Sequence, residues 1–260
     1  MSGREDFMST AQLRYEEFEE LASVDRIWHL RQTRLIDGLS LADLNAIVSV
    51  CTDRIYPQGE MIFNQGDPAD SLFILNRGCV RICVVDAHDR EKILGFYTTG
   101  DIFGEDVLGP KECFENQAMA HEECWVSIIS RDQFAGLIRQ RVSIGLNYVK
   151  ILSQRLLEAR EEIEAHSFLD TEHRLGKMLL KLAEHHGKPI FGEEDMVKLK
   201  ISLTHDQLAR LIGANRPHVS MIISKFKKKG WIGYQSRKLL INRDEIQRLL
   251  QPMDYGTARS

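Results

Sequence analysis

The tetrapeptide Asn215-Arg216-Pro217-His218 brings together the side chains that a base-reading helix needs at its start. Asn215 can cap a helix, and Pro217 fits a first turn, where its missing N–H costs nothing. Arg216 can bridge O6 and N7 of a guanine or bond a phosphate. His218, Ser220 and Met221 follow on the same segment, then Lys225, Lys227, Lys228 and Lys229, which can neutralise phosphates. Upstream, Thr204 caps "HDQLARLIG" and Gly213 ends it. Ala209 is small enough to let two helices cross closely, and Leu208, Ile212, Val219, Ile222 and Phe226 fall where they fill the space between them. This is a helix-turn-helix. Trp231-Ile232 and "KLLI" supply two strands, so the variant is winged. The candidate DNA contacts are Thr204, Gln207, Asn215, Arg216, Pro217, His218, Ser220, Met221 and Lys225.

A second stretch, "GDIFGEDVLGPKECFENQAMA" (Gly100–Ala120), has the glycines of a phosphate loop with the wrong charge. Its one cation is Lys111, while Asp101, Glu105, Asp106, Glu112 and Glu115 are acidic. The cysteines are Cys51, Cys79, Cys83, Cys113 and Cys124, with no CxxC pair, which argues against a disulfide framework and against an N-terminal iron–sulfur cluster. Cys79 and Cys83 share one side of a strand and read as small buried residues. Cys124 near His121 is the one thiol–imidazole pairing that suggests haem or redox chemistry. His185-His186 reads as a solvated helix end. No paired acid and base, Ser/His/Asp set or metal cluster points to catalysis, so the chain is read as no enzyme, with no metal and no cofactor.

The elements that must hold these residues are legible in charge and period. Residues 1–170 carry 17 Lys+Arg against 29 Asp+Glu, and residues 171–260 carry 17 against 9. A basic C-terminal module on an acidic body points to a nucleic-acid partner for the module. Residues 1–38 are polar and helical in pattern, with Phe18, Leu21, Trp28, Leu35 and Ile36 at roughly helical spacing. From 39 to 130, turn signals at Gly59, Gly66-Asp67-Pro68, Gly78, Asp86–Asp89 and Gly100 separate short apolar runs such as Ser71–Leu75 and Cys79–Val85. That pattern predicts an all-β sandwich or barrel-like unit. A long helix is expected over 131–168, in which Leu146, Val149, Leu152, Leu156 and Ile163 repeat near heptad spacing as a dimer seam. Asp170 caps the next helix, which opens the module at 169–260, where "KPIFGEEDMVKLKIS" reads as loop and strand. The fold class is α+β. No apolar run is long enough to span a bilayer and no signal-peptide core is present, so the expectation is a cytoplasmic protein with no membrane association.

"GEMIFNQGDPADSLFILNRGCVRI", "GDIFGE" and "LTHDQLARLIGANRPHVSMIISKF", in that order with a long helix between, resemble the CRP/FNR superfamily of bacterial transcription regulators over nearly all of residues 38–250. The resemblance implies a homodimer with a cyclic-nucleotide-binding-like β-roll, a long dimerisation helix and a winged helix-turn-helix. It further implies a palindromic operator and contact with RNA polymerase. The effector pocket would fall on Gly104, Glu105, Asp106, Phe114, Glu115, Asn116 and Gln117. Two positions depart from the family. Met221 stands where members often carry an arginine, and Phe114-Glu115 stands where cyclic-AMP-responsive members carry an Arg-Ser pair on the cyclic phosphate. A phosphate beside Glu115 with no arginine is repelled. The chain is therefore expected to act without cyclic AMP. The alternatives are gating by another nucleotide such as cyclic di-GMP, or a haem or redox sensor.

Overall fold

The computed structural model describes Leu30 and residues 33–251. Phe18, Leu21 and Trp28 of the expected N-terminal helix lie outside them. Leu35 and Ile36 belong to a one-turn 3-10 helix, Arg34–Ile36, with both side chains buried. The chain divides into two compact units, one reaching to Ile82 and resuming over Phe96–Arg155, the other made of Cys83–Gly95 and the residues from Leu156 onward.

The strands of the N-terminal half are β1 (Thr52–Tyr56), β2 (Met61–Phe63), β3 (Ser71–Arg77), β4 (Cys79–Val85), β5 (Glu91–Thr98), β6 (Ile102–Phe103), β7 (Gln117–Ala120) and β8 (Cys124–Ser130). They form two four-stranded sheets, ordered β1-β8-β3-β6 and β2-β7-β4-β5. β8 pairs antiparallel with β1, from Thr52↔Ile128 to Tyr56↔Cys124, and with β3, from Ser71↔Ser130 to Arg77↔Trp125. Tyr56, Phe73, Leu75, Phe103 and Val126 of the first sheet share one core with Phe63, Val80, Ile82, Ala118 and Ala120 of the second. The sheets therefore face each other across these side chains. On the opposite face of β3, Leu72 and Ile74 join a second core with Ile129. A strand covered on both faces reads as an unbroken apolar run, as Leu72–Leu75 does.

Helices cover that second core: α1 (Leu41–Val48), α2 (Arg131–Gln140) and the start of α3 (Val142–Phe168). They contribute Leu44, Ile47, Phe134, Leu137, Ile144 and Tyr148. Ser40 and Ser130 open α1 and α2 with reciprocal capping boxes to Asp43 and Gln133. The single long helix expected over 131–168 is thus two. Arg141 leaves the helical region at φ −134°, ψ 84°, and its guanidinium Nη1 bonds Asp43 Oδ1 at 3.0 Å. The break is held by a contact far away in sequence, not by a local breaker residue.

The C-terminal module starts with α4 (Thr171–His186), capped by Asp170, whose Oδ1 accepts the His173 N–H at 2.9 Å. Next come β9 (Gly187–Ile190), β10 (Glu193–Leu199), α5 (His205–Ile212), α6 (Arg216–Lys228), β11 (Ile232–Gln235), β12 (Lys238–Asn242) and α7 (Arg243–Leu250). The sheet order is β11-β12-β10-β9. "KPIFGEEDMVKLKIS", expected as loop and strand, is a two-stranded hairpin, with Pro189 and Lys188 opposite Val197 and Lys198. His186, read as solvated, is 5% exposed. Its carbonyl accepts the Lys200 N–H at 2.8 Å, and the helix end is folded into the module.

Candidate nucleic-acid interface and effector pocket

The helix-turn-helix is set by caps and by a closed core. Thr204 and Gln207 bond reciprocally, Thr204 N–H to Gln207 Oε1 at 2.9 Å and Gln207 N–H to Thr204 Oγ1 at 3.2 Å. Gly213 ends α5 in the left-handed region, at φ 61°, ψ 44°, where a side chain is strained. Asn215 Oδ1 accepts the His218 N–H at 2.9 Å and opens α6 with Pro217 in its first turn. Leu208, Ala209, Ile212, Val219, Ile222 and Phe226 are all buried. The second helix is therefore locked against the first, and its opposite face is left bare.

The candidate DNA contacts divide by what they already hold. Thr204, Gln207 and Asn215 are caps. Ser220 Oγ lies 2.9 Å from His205 Nδ1, and His205 Nε2 lies 3.2 Å from Tyr234 Oη. His205 thus ties the start of α5 to α6 and to β11. Sequence reading missed it, because its two partners are distant in the chain. Lys225 Nζ bonds Glu172 Oε2 at 2.6 Å, and Lys229 sits 4.0 Å above the Trp231 ring. Arg216, Pro217, His218 and Met221 are exposed at the N-terminal end of α6, with Lys227 and Lys228 exposed at its far end. That is the arrangement of a helix that presents its first two turns to a groove and its basic end to phosphates.

In the β-unit, β6 runs into Gly104 at φ 76°, and a Cβ there would come within 2.7 Å of the Phe73 ring and 3.0 Å of the Ser71 carbonyl. The turn Glu105–Leu108 follows. The Glu105 carboxylate is held by the Arg155 guanidinium, which also donates to the Ile102 carbonyl and lies 4.6 Å from the centre of the Tyr97 ring. Burial opposes the Arg155 charge, but Tyr97 and Glu105 outweigh it and raise its pKa. Tyr148 Oη donates to the Glu105 carbonyl at 2.8 Å, and burial lifts its pKa to about 12. Nothing in the heptad pattern around Arg155 signals this role, because Glu105, Ile102 and Tyr97 are distant in the chain.

Phe114 is buried, and its ring stacks on Phe63 with centroids 3.9 Å apart. Phe73 and Phe103 complete the aromatic cluster. Glu115 is exposed and paired with Lys111. Lys111 is therefore directed to its own loop, not to an anion beneath it. Asp106 is raised mainly by burial and accepts weakly from the Glu115 N–H at 3.5 Å. Asn116 is half-buried, and Gln117 opens β7. Cys124 is buried; its thiol points to the Cys79 and Glu122 carbonyls at 3.1 and 3.2 Å, and burial pushes its pKa to about 11. A thiolate is disfavoured there.

Along α3, Val142, Val149, Leu156 and Ile163 stand seven residues apart, and these four are 54–69% exposed. Leu146 is also exposed, at 58%. Leu152, expected on the same seam, is instead half-buried against the core of the β-unit.

A two-sheet roll followed by a helix and a winged helix-turn-helix is the layout of a transcription regulator with a cyclic-nucleotide-binding-type domain. The cyclic nucleotide-binding domain model matches residues 53–141, and the Crp-like helix-turn-helix domain model matches residues 173–249. The chain belongs to the CRP/FNR superfamily of transcription regulators. It is 27% identical, over 83% of its length and 95% of the relative's, to the CRP-like cAMP-activated global transcriptional regulator of Mycobacterium tuberculosis. To the cyclic AMP receptor protein of Thermus thermophilus it is 28% identical, over 77% of this chain and 88% of that one. Among solved structures, FixK2 of Bradyrhizobium japonicum shares the fold at TM-score 0.68 and 19% identity, covering 78% of this chain and 98% of that one. The c-di-GMP responsive regulator CLP of Xanthomonas campestris shares it at TM-score 0.65 and 23% identity, covering 78% and 99%. Among the described residues, no helix is long and apolar enough to cross a membrane.

Proposed function

We propose that this protein is a sequence-specific DNA-binding transcription regulator that works as a homodimer on a palindromic site and does not use cyclic AMP as its effector. The observation that carries the DNA reading is the bare N-terminal face of α6, with Arg216 and His218 exposed beside a capped, core-locked turn. Thr204, Gln207 and Asn215 hold the backbone of that turn, Ser220 bonds His205, and Lys225, paired with Glu172, shares the helix with the exposed Lys227 and Lys228. The exposed row Val142, Val149, Leu156 and Ile163 supports pairing of two copies. Its repeat of seven is the period of a two-helix seam. Two reading helices related by a dyad suit two half-sites about one helical turn apart. RNA polymerase is the further partner that the family implies.

The cyclic AMP reading is opposed by the pocket itself. Phe114 fills the place of the anion clamp with a stacked ring, Glu115 brings an acid, and Lys111 is paired with it. Glu105, another acid of the loop, is held by Arg155. A thiol-based sensor finds little support in Cys124, whose buried S–H lies far above neutral pH. The test is selection of duplexes from a random pool by the full-length protein, followed by gel shift with and without cyclic AMP. A palindromic consensus bound equally in both conditions is the expected outcome. Failure to enrich any duplex, or binding only with the nucleotide, refutes the corresponding half of the proposal.

A further inference from the structure

Four residues, Val219, Ile222, Ile223 and Phe226, form the buried stripe of α6. At helical spacing the row opposite that stripe is Pro217, Met221, Ser224 and Lys228, all exposed. The first two positions are the ones that reach deepest when the N-terminal turns of such a helix enter a major groove. Neither side chain carries a donor, and the Met221 thioether is only a weak acceptor. The hydroxyls beside them are committed within the protein, Ser220 Oγ to His205 and Ser224 Oγ to the Ser220 carbonyl at 2.9 Å. The middle of the reading face is thus apolar, with Met221 62% exposed. Cations stand at its edges, Arg216 on one flank and Lys225 on the other.

An exposed methionine on a face that must slide into a polar groove has one apolar feature to meet there, the C5 methyl group of thymine. A guanine or cytosine edge against Met221 would instead lose hydrogen bonds to water and gain none from the protein. We infer that Pro217 and Met221 read thymine methyl groups at the centre of each half-site, beside a base pair held by Arg216. This inference rests on the DNA-binding reading and gives it a base preference.

The experiment uses a duplex selected from a random pool by the full-length protein, in which each thymine of the half-site is replaced in turn by deoxyuridine. That change removes the methyl group and leaves every hydrogen-bonding edge intact. Wild-type protein is expected to lose about three- to five-fold in affinity at one or two thymines, the worth of one apolar methyl. Met221→Ala should abolish the penalty at the thymine that Met221 reads, whereas Met221→Leu, which keeps an apolar surface, should retain it there. Indifference of the wild type to every replacement overturns the inference, as does a Met221→Ala protein that keeps the wild-type penalty at every thymine. Both results leave DNA binding itself standing. If no duplex is enriched, the DNA-binding reading falls, and this one falls with it.

Discussion

Arg216 and Phe114 are the single side chains on which the proposed DNA recognition and its independence from cyclic AMP rest. Arg216 is exposed where the helix begins. Its replacement by alanine should weaken the selected duplex about 5- to 150-fold, the range for one good bidentate base contact, while circular dichroism and the sedimentation coefficient stay unchanged. A gel shift with unaltered affinity would contradict its role. The thiols offer a second check. Cys113 is exposed, whereas Cys79, Cys83 and Cys124 are buried and burial raises Cys79 and Cys124. At pH 8, about three units below the Cys124 value of about 11, that thiol is almost wholly protonated, and thiolate appears only as pH rises toward it. Mass spectrometry after iodoacetamide treatment at pH 8 should find Cys113 alkylated well before the buried three. The departure at Phe114-Glu115 and the loss of a donor at Met221 were legible in the sequence, because each is a change of residue type. The partners of Arg155 and His205 were not. Both are fixed by tertiary contacts, to Glu105 and to Ser220 and Tyr234, that no local pattern encodes.

Caps and turns were the most readable features between residue and fold. Thr204, Gly213, Asn215, Pro217 and Asp170 all stand where their local chemistry placed them, since capping is decided within four residues. Strands β3 and β4 coincide with the apolar runs between glycines for the same reason. The break at Arg141 escaped, because its ion pair with Asp43 of α1 supplies what a local glycine or proline usually signals. So did the β9–β10 hairpin, whose tip at Phe191-Gly192 carries no Asn-Gly or Asp-Gly pair. Two substitutions test these elements. Gly104→Ala places a methyl group within 2.7 Å of Phe73 in a left-handed backbone. The strain alone costs about 1–2 kcal/mol, so calorimetry should find the melting temperature lowered by at least a few degrees. An unchanged melting temperature would show that the loop yields freely. Leu156→Glu puts a charge in the row Val142, Val149, Leu156 and Ile163. A dimer built on that row forfeits about 1.5–3 kcal/mol for each leucine, so analytical ultracentrifugation should detect monomers that no longer hold a palindrome. Dimers that persist would remove α3 from the interface.

For the molecule as a whole, charge separates the labour. The segment 171–260 has an excess of eight cations, and 1–170 an excess of twelve anions. Binding should therefore weaken steeply with salt through the C-terminal module, and Lys228→Ala should lower the slope of log affinity against log salt by about one. The β-unit keeps the family's two-sheet roll, and an aromatic cluster and two ion pairs hold its loop from Gly104 to Glu115. With α6 as the reading helix and no anion clamp in the β-roll loop, DNA recognition should be specific and independent of cyclic AMP. Fluorescence anisotropy of the selected palindromic duplex, titrated with full-length protein in the presence and absence of cyclic AMP, tests it most directly. The two dissociation constants should agree, and both should lie about a thousand-fold or more below that of a scrambled duplex. Equal affinity for the scrambled duplex, or binding tightened about ten-fold or more by cyclic AMP, would contradict it.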